Sequence, residues 1–346
     1  MMRHLSVPRT DTSLWIEFLS KRDWLAPSVA IQDLGARRGI PLNQSAPKII
    51  EDLPIVDLEP KLPDPKHWTD RLPVELFNQY SDFWPSSNDQ LGDLVILKIP
   101  EEVKDFKPEI ANAILTHSER TRIVCEDKGV KGEFRVRDLQ IMASRDGTKS
   151  TRTQVKEHSK KLWIDPAKAY YSPRLGTERL NTFEEGAALA KRLSRQIVIC
   201  DPYAGVGPNL SLFDGEDFVK LIIASDLNPD AVELLKLNLS SNSLISCEDA
   251  KELVKTHHGK VDLLLVNLPH DSIDHLPSLL GLLGRGHEVM IRGWAIINKD
   301  MILETEAEIK SIVKEENLIK LDITSIKSYS PQDEVIRFQI RILFTK

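Results

Sequence analysis

The sequence is poor in cysteine, with three among 346 residues, and their spacing matches no metal-binding motif. Two of the three fall in segments that we predict to be buried strands, which argues against a disulfide scaffold and indicates reduced thiols in a cytosolic protein. No apolar run reaches the roughly 18 residues that span a membrane, and the first residues lack the apolar stretch of a signal peptide. We therefore expect a cytoplasmic protein without a membrane partner or a metal site.

Positive charge is also scarce overall, since the net charge is −6 at pH 7. This balance argues against a uniformly basic nucleic-acid-binding surface. The distribution is uneven, however, because residues 120–161 hold 12 Lys or Arg and 6 Asp or Glu, and residues 1–50 hold 7 and 4. A local excess steers a polyanion more than the total charge does. The pattern leaves two interpretations open, an RNA-binding face and an ordinary solvated basic face.

A glycine loop at residues 201–208 (DPYAGVGP) directly follows the apolar run 197–200. A β-branched run that ends in an acid and a glycine turn predicts a buried strand that feeds a binding loop. Gly205 and Gly207 lack a Cβ, so the backbone can turn sharply and a ligand can approach it. The loop is neither a G-x-G-x-x-G motif nor a phosphate loop, because no third glycine and no Lys-Ser/Thr pair follows.

Three further polar landmarks each follow an apolar strand candidate. Asp226 ends the second strand about 20 residues after the glycine loop, which suits a contact with ribose hydroxyls. Asp249 follows a third strand near residue 244, and a fourth strand near residue 262 runs into Asn267 and Pro269. In this order and spacing, the four landmarks resemble the S-adenosylmethionine-dependent methyltransferases.

The same region alternates strand and helix patterns. Strands near residues 197, 221, 244, 262 and 287 alternate with helices near 209, 230, 249, 275 and 302. This alternation predicts a parallel sheet that is covered on both faces. Residues 318–326 and 335–343 are separated by too few residues for a crossover helix, so we expect an antiparallel hairpin at the sheet edge. The predicted fold is an α/β, Rossmann-like class I methyltransferase core with a C-terminal antiparallel hairpin.

The first half of the chain divides differently. We predict three domains: a small N-terminal module at residues 1–60, an α+β middle domain at 61–174 and the catalytic domain at 175–346. Five prolines in residues 51–75 disfavour a helix and a central strand, so we predict a semi-rigid linker. Residues 132–142 alternate in character, which predicts a strand with Arg135 and Arg137 on one face.

Segments along the whole chain resemble the archaeal and eukaryotic type of tRNA (guanine-N1)-methyltransferase, which acts at position 37 beside the anticodon. The matching segments are residues 7–9, 92–100, 132–137, 171–179, 201–208 and 267–269. The block 171–179 (YSPRLGTER) is more specific than the glycine loop. Tyr203 stands where the family commonly has Phe, Asn209 where it has an aromatic residue, and His270 departs from the usual continuation of the Asn-Leu-Pro motif.

The resemblance implies an enzyme that transfers a methyl group from S-adenosylmethionine to N1 of guanosine 37 in tRNA. The N-terminal module would contact the outer corner of the tRNA, the middle domain the anticodon arm, and the C-terminal domain would carry the chemistry. We expect a monomer without a stable protein partner. Two other functions stay open, a wyosine-pathway transferase that moves an aminocarboxypropyl or second methyl group, and a non-catalytic RNA-binding relative. The sequence also leaves assistance by Mg²⁺ open.

Methylation at N1 removes a proton and places negative charge on O6, so it benefits from a general base and a cationic partner. The resemblance implies Glu178 as the base and Arg135 as the O6 partner, a role for which Arg137 competes. Asn267 would line the pocket for the target base, and Arg174 would order the catalytic loop or contact phosphate. The cofactor-binding residues implied are Asp201, Tyr203, Gly205, Gly207, Asp226, Asp249, Asn267 and Pro269.

Most of these residues also have a purely structural interpretation. Glu178 and Asp249 can be acids at helix N-termini, where the helix dipole favours them. Arg135 can be one charge on a solvated strand, and Arg174 can form an ordinary salt bridge. Asn267 can cap a turn after a strand. Tyr170 and Tyr171 can stack on a flipped base or belong to the core.

Overall fold

The computed structural model describes residues 1–345, which form two compact units that divide between Ser81 and Asp82. The first unit is an antiparallel sheet of order β2-β3-β1-β4 with helices α1 and α2. Its elements are β1 Met2–Pro8, α1 Thr12–Ser20, β2 Gln32–Leu34, β3 Arg37–Pro41, β4 Ile55–Leu58 and α2 Val74–Gln79. A small core that includes Leu5, Leu19 and Ile40 holds it together. The division into three domains stays a prediction.

The prediction of a linker at residues 51–75 is wrong for Ile55–Leu58, which forms an edge strand and not the central strand that the prolines disfavour. This segment pairs antiparallel with Met2–Leu5 of β1. It lies at the edge of the sheet, where only one side of the strand needs backbone donors. Neighbouring prolines are therefore compatible with the pairing, and the carbonyl of Pro54 even accepts a hydrogen bond from the Ser6 amide at 2.8 Å.

The second unit begins with a mixed four-stranded sheet of order β5-β6-β7-β8, in which only β6 and β7 are parallel. A separate antiparallel hairpin, β9 and β10, follows it. The elements are β5 Asp89–Leu91, β6 Leu94–Leu97, α3 Lys107–His117, β7 Ile123–Lys131, β8 Val136–Ser144, β9 Thr153–Glu157 and β10 Lys160–Ile164. The predicted strand at residues 132–142 starts later than expected. Arg135 lies in the β7–β8 turn with a φ of +49°, so it does not share a strand face with Arg137.

A long helix, α4 Gly176–Leu193, leads into a seven-stranded sheet of order β13-β12-β11-β14-β15-β17-β16. Strand β17 runs antiparallel to both of its neighbours, β15 and β16, as the hairpin prediction required, and the other pairs in this sheet are parallel. The elements are β11 Ile197–Asp201, β12 Val219–Ser225, α5 Pro229–Asn238, β13 Leu244–Ser246, α6 Leu253–His257, β14 Leu263–Val266, α7 Ser272–Leu279, β15 Glu288–Asn298, α8 Ile302–Val313, β16 Leu318–Ser328 and β17 Asp333–Leu343. The helix expected near residue 209 is only a 3₁₀ turn, Leu210–Leu212. The sheet order and the hairpin confirm the predicted class I methyltransferase fold.

Helices cover both faces of this sheet. Leu189 of α4 and Leu235 of α5 pack on one face, and Leu276 of α7 and Ile309 of α8 belong to the core cluster on the other. Each of these side chains is fully buried, which contributes roughly 1.5–3 kcal/mol apiece relative to exposure. The packing holds the strands rigidly, so the loops at their carboxyl ends start from fixed positions. No helix in residues 1–345 is both long enough and apolar enough to span a bilayer.

The cysteines are all free, as expected for reduced thiols. Cys125 and Cys200 are buried, and burial raises the pKa of the Cys125 thiol to about 12. Cys247 is exposed directly after β13 rather than buried in it.

Candidate active site

The carboxyl ends of β11 and β14 border a crevice in the seven-stranded sheet. From β11 the chain proceeds to β12 and β13 on one side, and then returns to β14 and β15 on the other. Adjacent loops therefore leave in opposite directions at this point, which is where open α/β sheets bind ligands. Asp201 ends β11, Asp226 follows β12 and Asn267 follows β14, so the sequence landmarks converge at one edge of the sheet.

The glycine loop has a backbone that requires glycine at two positions. Gly205 and Gly207 have φ values of +56° and +83°, in the left-handed region. A Cβ at Gly207 would lie 2.5 Å from Cδ1 of Leu235 on α5, so the loop also packs tightly against that helix. The Gly205 amide donates to a carboxylate oxygen of Asp226 at 2.7 Å. The loop and the predicted ribose acid are thus fixed to each other.

Asp201 is almost completely buried and only partly satisfied. Its Oδ1 accepts from the Tyr203 amide at 3.1 Å, whereas its Oδ2 has no hydrogen-bond partner within residues 1–345. The same holds for Oδ1 of the buried Asn209. Burial raises the pKa of Asp201 to about 7, and burial also raises the pKa of Asp226. Buried polar atoms without partners and acids with raised pKa values are typical of ligand sites.

Tyr203 connects the glycine loop to the helix after the Asn-Leu-Pro segment. Its hydroxyl oxygen lies 2.6 Å from Nδ1 of His275 on α7. Burial raises the pKa of Tyr203, and the negative charge of Asp249 raises it further. The carboxylate of Asp249 therefore lies near the loop, although it also accepts a hydrogen bond from the Lys251 amide at 2.8 Å. Both interpretations of Asp249, a ligand residue and a local turn residue, are compatible with this geometry.

Glu178 lies in the first turn of α4 and is 9% exposed. Nη1 of Arg337 on β17 lies 3.2 Å and 3.4 Å from its two carboxylate oxygens. Nη2 of Arg292 on β15 is 3.8 Å away, and the Asn181 amide donates to the carboxylate at 3.3 Å. The predicted base is therefore held between two guanidinium groups.

Arg292 is buried and fixed by polar neighbours on both sides. Its Nε donates to the Thr182 hydroxyl at 2.8 Å, and its Nη1 donates to the Gln339 side chain. Burial, and after it the charge of Arg337, lowers the pKa of Arg292 to about 10. This arginine is thus a constrained part of the sheet rather than a mobile surface charge.

The block at residues 171–179 is anchored by Glu157 of β9. Its carboxylate accepts from Arg179 at 2.6 Å and from the Tyr171 hydroxyl at 2.8 Å. Arg179 also donates to the Ser172 carbonyl at 2.9 Å. Tyr171 is a core residue whose pKa is raised by burial, whereas Tyr170 is 63% exposed. These contacts fix the loop that leads into Glu178.

Arg135 is brought to the Asn-Leu-Pro segment by the β7–β8 turn. Its Nη1 lies 3.4 Å from Nε2 of His270, and the His270 ring meets Tyr329 edge to face at 6.0 Å. The Asn-Leu-Pro segment is fixed to β15, because the Pro269 carbonyl accepts a hydrogen bond from the Ile296 amide at 2.7 Å. Arg135 and the loop of Asn267 therefore share one side of the crevice.

Arg137 and Arg174 lie elsewhere and share one acid. Arg137 donates to Asp89 at 2.6 Å and contacts Asp127 at 3.5 Å. Arg174 lies 3.5 Å from the other oxygen of Asp89 but is mostly exposed, as a residue that contacts phosphate would be. A polar cavity of about 580 Å³ is lined by Asp89, Asp127 and Arg174, among others. The structure therefore separates Arg137 from Arg135, which lies by His270.

Arg292 and Arg337 are the site residues that sequence reasoning missed. Arg337 is 159 residues away from Glu178, so no local pattern connects them. The sequence did contain one signal for Arg337. In β17, apolar residues alternate with the polar residues Arg337, Gln339 and Arg341, a pattern that indicates a polar strand face.

Comparisons with known proteins agree with this architecture. A family profile for the TRM5/TYW2 methyltransferase domain matches residues 153–327, and one for the TYW2 N-terminal domain matches residues 69–148. The tRNA (guanine(37)-N(1))-methyltransferase Trm5b of Methanocaldococcus jannaschii is 32% identical over 262 residues, which cover 74% of this chain and 71% of that protein. The protein of the same name from Pyrococcus abyssi is 32% identical over 276 residues, 76% of each chain. The solved complex of aTrm5 with tRNALeu has a TM-score of 0.70 and 27% identity, and covers 98% of this chain and 99% of its own.

Proposed function

The chain belongs to the TRM5/TYW2 methyltransferase family, and from this premise we propose that it transfers a methyl group from S-adenosylmethionine to N1 of guanosine 37 in tRNA. The observation that carries the proposal is the position of Glu178. A carboxylate is oriented by two arginines on the α4 side of a methyltransferase sheet. The named activity of the two relatives supports the choice of guanosine 37, and the tRNA complex of a similar structure supports the choice of substrate.

The crevice fits S-adenosylmethionine by the chemistry of its donors and acceptors. Asp201 Oδ2 and Asn209 Oδ1 are buried acceptors that lack partners within residues 1–345, and the cofactor carries amino and hydroxyl donors. The glycine loop would admit its methionine part, and Asp226 would accept from its ribose hydroxyls. Asp249 would bind the adenine amine, and Tyr203, Asn267 and Pro269 would complete the walls. When bound, this cofactor supplies an electrophilic methyl group.

The residues of the chain have separate tasks around the target base. Glu178 would take the proton that leaves guanine N1 on methylation, which is the task of a general base. Arg135 offers its guanidinium to O6, where negative charge develops. Asn267, which directly follows β14, would orient the base. The ties of Glu157 to residues 171–179 keep Glu178 in place while the base enters.

The tRNA contacts are part of the same proposal. The basic segment 120–161 and the exposed Arg174 would meet the anticodon arm, with Arg137 as a second candidate held by Asp89. Residues 1–60 would touch the outer corner of the tRNA, residues 61–174 would form the middle domain, and residues 175–346 would carry the chemistry. We assign the protein to the cytoplasm, where tRNA is modified, as a monomer.

A second candidate is aminocarboxypropyl transfer from the same cofactor in the wyosine pathway. The match of residues 69–148 to the TYW2 N-terminal domain favours it. The presence of Glu178 favours methyl transfer, because a base is needed to take a proton from guanine N1.

Unmodified tRNA transcripts with guanosine or adenosine at position 37 test the reaction. After incubation with the cofactor, nucleoside mass spectrometry should find N1-methylguanosine only in the guanosine transcript. Glu178→Gln should lower kcat by about 10²–10⁴-fold because the base is removed. Glu184→Gln, an exposed acid on the same helix, is the matched control and should retain activity.

An aminocarboxypropyl nucleoside would instead support the second candidate. Binding of tRNA and cofactor without any product would identify a non-catalytic relative and refute the proposal. Equal rates for Glu178→Gln and the wild type would remove Glu178 from its proposed role.

A further inference from the structure

We propose that Arg337 is a positioning residue that fixes the orientation of the Glu178 carboxylate for proton removal. The inference rests on the proposed role of Glu178 as the base. It assigns a function in the reaction to the antiparallel strand β17, which is separated from the glycine-loop strand β11 by the two strands β14 and β15.

The contact has the geometry of an orienting clamp. Nη1 of Arg337 lies at similar distances, 3.2 Å and 3.4 Å, from both oxygens of Glu178. Arg292 approaches one of these oxygens at 3.8 Å, and Asn181 donates to the other at 3.3 Å. A glutamate has three side-chain torsions, and contacts to both oxygens restrict all of them.

Arg337 is itself held by the sheet. Its Nη2 donates to the hydroxyl of Thr324 on β16 at 3.0 Å. In the register of the sheet, Arg337 is paired with Trp294 of β15 on one side and with Thr324 on the other. A side chain on an interior strand, flanked by two paired strands, is a rigid support for a catalytic group.

The clamp orients the carboxylate without saturating it. Charge-assisted hydrogen bonds of optimal geometry are about 2.7–2.9 Å long. The contacts of Arg337, Arg292 and Asn181 to the Glu178 carboxylate are longer, at 3.2 Å to 3.8 Å. A substrate N–H can therefore compete for one carboxylate oxygen. Arg341, also on β17, contacts Glu288 of the neighbouring strand β15 at 2.8 Å and 3.1 Å, so an arginine of this strand can form closer bonds where no substrate has to enter.

A cavity explains why the carboxylate needs a clamp. A polar cavity of about 330 Å³ is lined by Arg337, Arg292, Asn181 and Asp322, among others. Without Arg337, this space gives the Glu178 side chain room to rotate away from the base. A carboxylate displaced by about 1 Å can cost on the order of 100-fold in rate.

The test compares Arg337→Gln with a matched control on the same strand face. Arg341→Gln removes an equivalent arginine that pairs with Glu288 instead of Glu178. We expect Arg337→Gln to lower kcat by about 10- to 100-fold, while the KM for tRNA and the Kd for S-adenosylmethionine stay within about twofold of wild type. Arg337→Lys keeps the charge but loses the planar fork, so it should recover part of the rate. Arg341→Gln should keep the wild-type kcat.

Two further measurements separate this inference from the proposed function. In the background of Glu178→Gln, adding Arg337→Gln should cause little additional loss, because both changes affect the same group. In protein labelled with ¹³C at glutamate carboxyl carbons, the Glu178 signal, assigned with Glu178→Gln, should move in Arg337→Gln and not in Arg341→Gln. This signal can be read even if no nucleoside product forms, so a failure of the proposed function leaves it interpretable.

Three outcomes would overturn the inference. A rise in the KM for tRNA with an unchanged kcat would make Arg337 a phosphate contact. Full additivity of the two substitutions would separate Arg337 from Glu178. An equal fall of kcat in Arg337→Gln and Arg341→Gln, with equal losses of thermal stability, would reduce Arg337 to a structural residue.

Discussion

The pKa values of acidic residues are shifted in opposite directions at the two ends of the seven-stranded sheet. At the carboxyl ends of the strands, burial raises the pKa of Asp201 to about 7 and also raises that of Asp226. At the amino ends, burial alone would raise the pKa of Asp262 and Glu288, but all their hydrogen bonds and the nearby arginine charges together outweigh burial and lower both pKa values. One sheet thus stabilises carboxylates at one end and destabilises them at the other.

The hydrogen-bond partners explain the difference. Asp262 accepts two bonds from Arg195, at 2.7 Å and 2.9 Å, one from the Val198 amide at 2.8 Å, and lies 2.8 Å from His287 Nε2. Asp201 accepts one bond from a backbone amide, and one of its oxygens has no partner in the described chain. The amino end is completed by the protein itself. The carboxyl end keeps acceptors available for a ligand, at a cost in stability that functional sites commonly carry.

Among these substitutions, Asp262→Asn should change the free energy of unfolding the most. The substitution removes the charge that Arg195 and His287 face, so we expect a loss of about 3 kcal/mol in the free energy of unfolding at pH 7. Because the folded-state pKa lies below the ordinary 3.8, the advantage of the wild type is present above pH 3.8 and is lost as the pH falls through the folded-state value. Urea titrations at several pH values measure the loss. A difference in unfolding free energy between wild type and variant that stays constant in acid would contradict this prediction.

Asp201→Asn should show the opposite pH dependence. Folded Asp201 keeps its proton up to about pH 7, whereas the unfolded side chain loses it near its ordinary value of 3.8. Wild-type stability therefore decreases as the pH rises between these values, and the variant lacks this decrease. Between pH 5 and pH 8, the difference in unfolding free energy should change in favour of the variant by roughly 2 kcal/mol. Urea titrations without cofactor test this, and a pH-independent difference would contradict it.

Asp226→Asn should have a smaller effect, on the affinity for S-adenosylmethionine. The substitution keeps the size of the side chain but replaces one carboxylate oxygen by an NH2 group that cannot accept. It therefore keeps only one of the two bonds from the Gly205 and Asn228 amides and weakens acceptance from ribose hydroxyls. We expect the Kd for S-adenosylmethionine to rise about tenfold, the value of one charge-assisted hydrogen bond. Isothermal titration calorimetry measures the change, with Asp262→Asn as the control that should bind normally. An unchanged Kd for Asp226→Asn would remove this acid from the ligand end.

Sequence reasoning placed the glycine loop and the later landmarks at the carboxyl ends of strands because their signals are local. Asp201, Gly205 and Gly207 lie within seven residues, and each later landmark directly follows an apolar strand. The hairpin at the sheet edge was predictable from the short connection between two long apolar segments. These features depend on short-range pattern, so composition and spacing suffice.

The arginines around Glu178 were not predictable in the same way. Arg292 and Arg337 come from two different strands, and only the register of β15 with β17 brings them together. The start of β8 was missed for a related reason, because four residues before Val136 form a turn in spite of their alternating character. Near residue 209 the tight packing of the glycine loop on α5 leaves a 3₁₀ turn where a helix pattern was expected. Tertiary packing decided each of these cases.

The position of β17 in the sheet has a consequence for how each molecule matures. Strand β16 is synthesised before β17, yet in the described chain it pairs only with β17, so it has no place in the sheet until that strand has left the ribosome. The glycine loop, Asp226 and Glu178 are all made earlier. We therefore expect a nascent chain to form its cofactor crevice first and the contact of Arg337 with Glu178 last. During synthesis, the chain would then be able to bind the ligand before it becomes catalytically active.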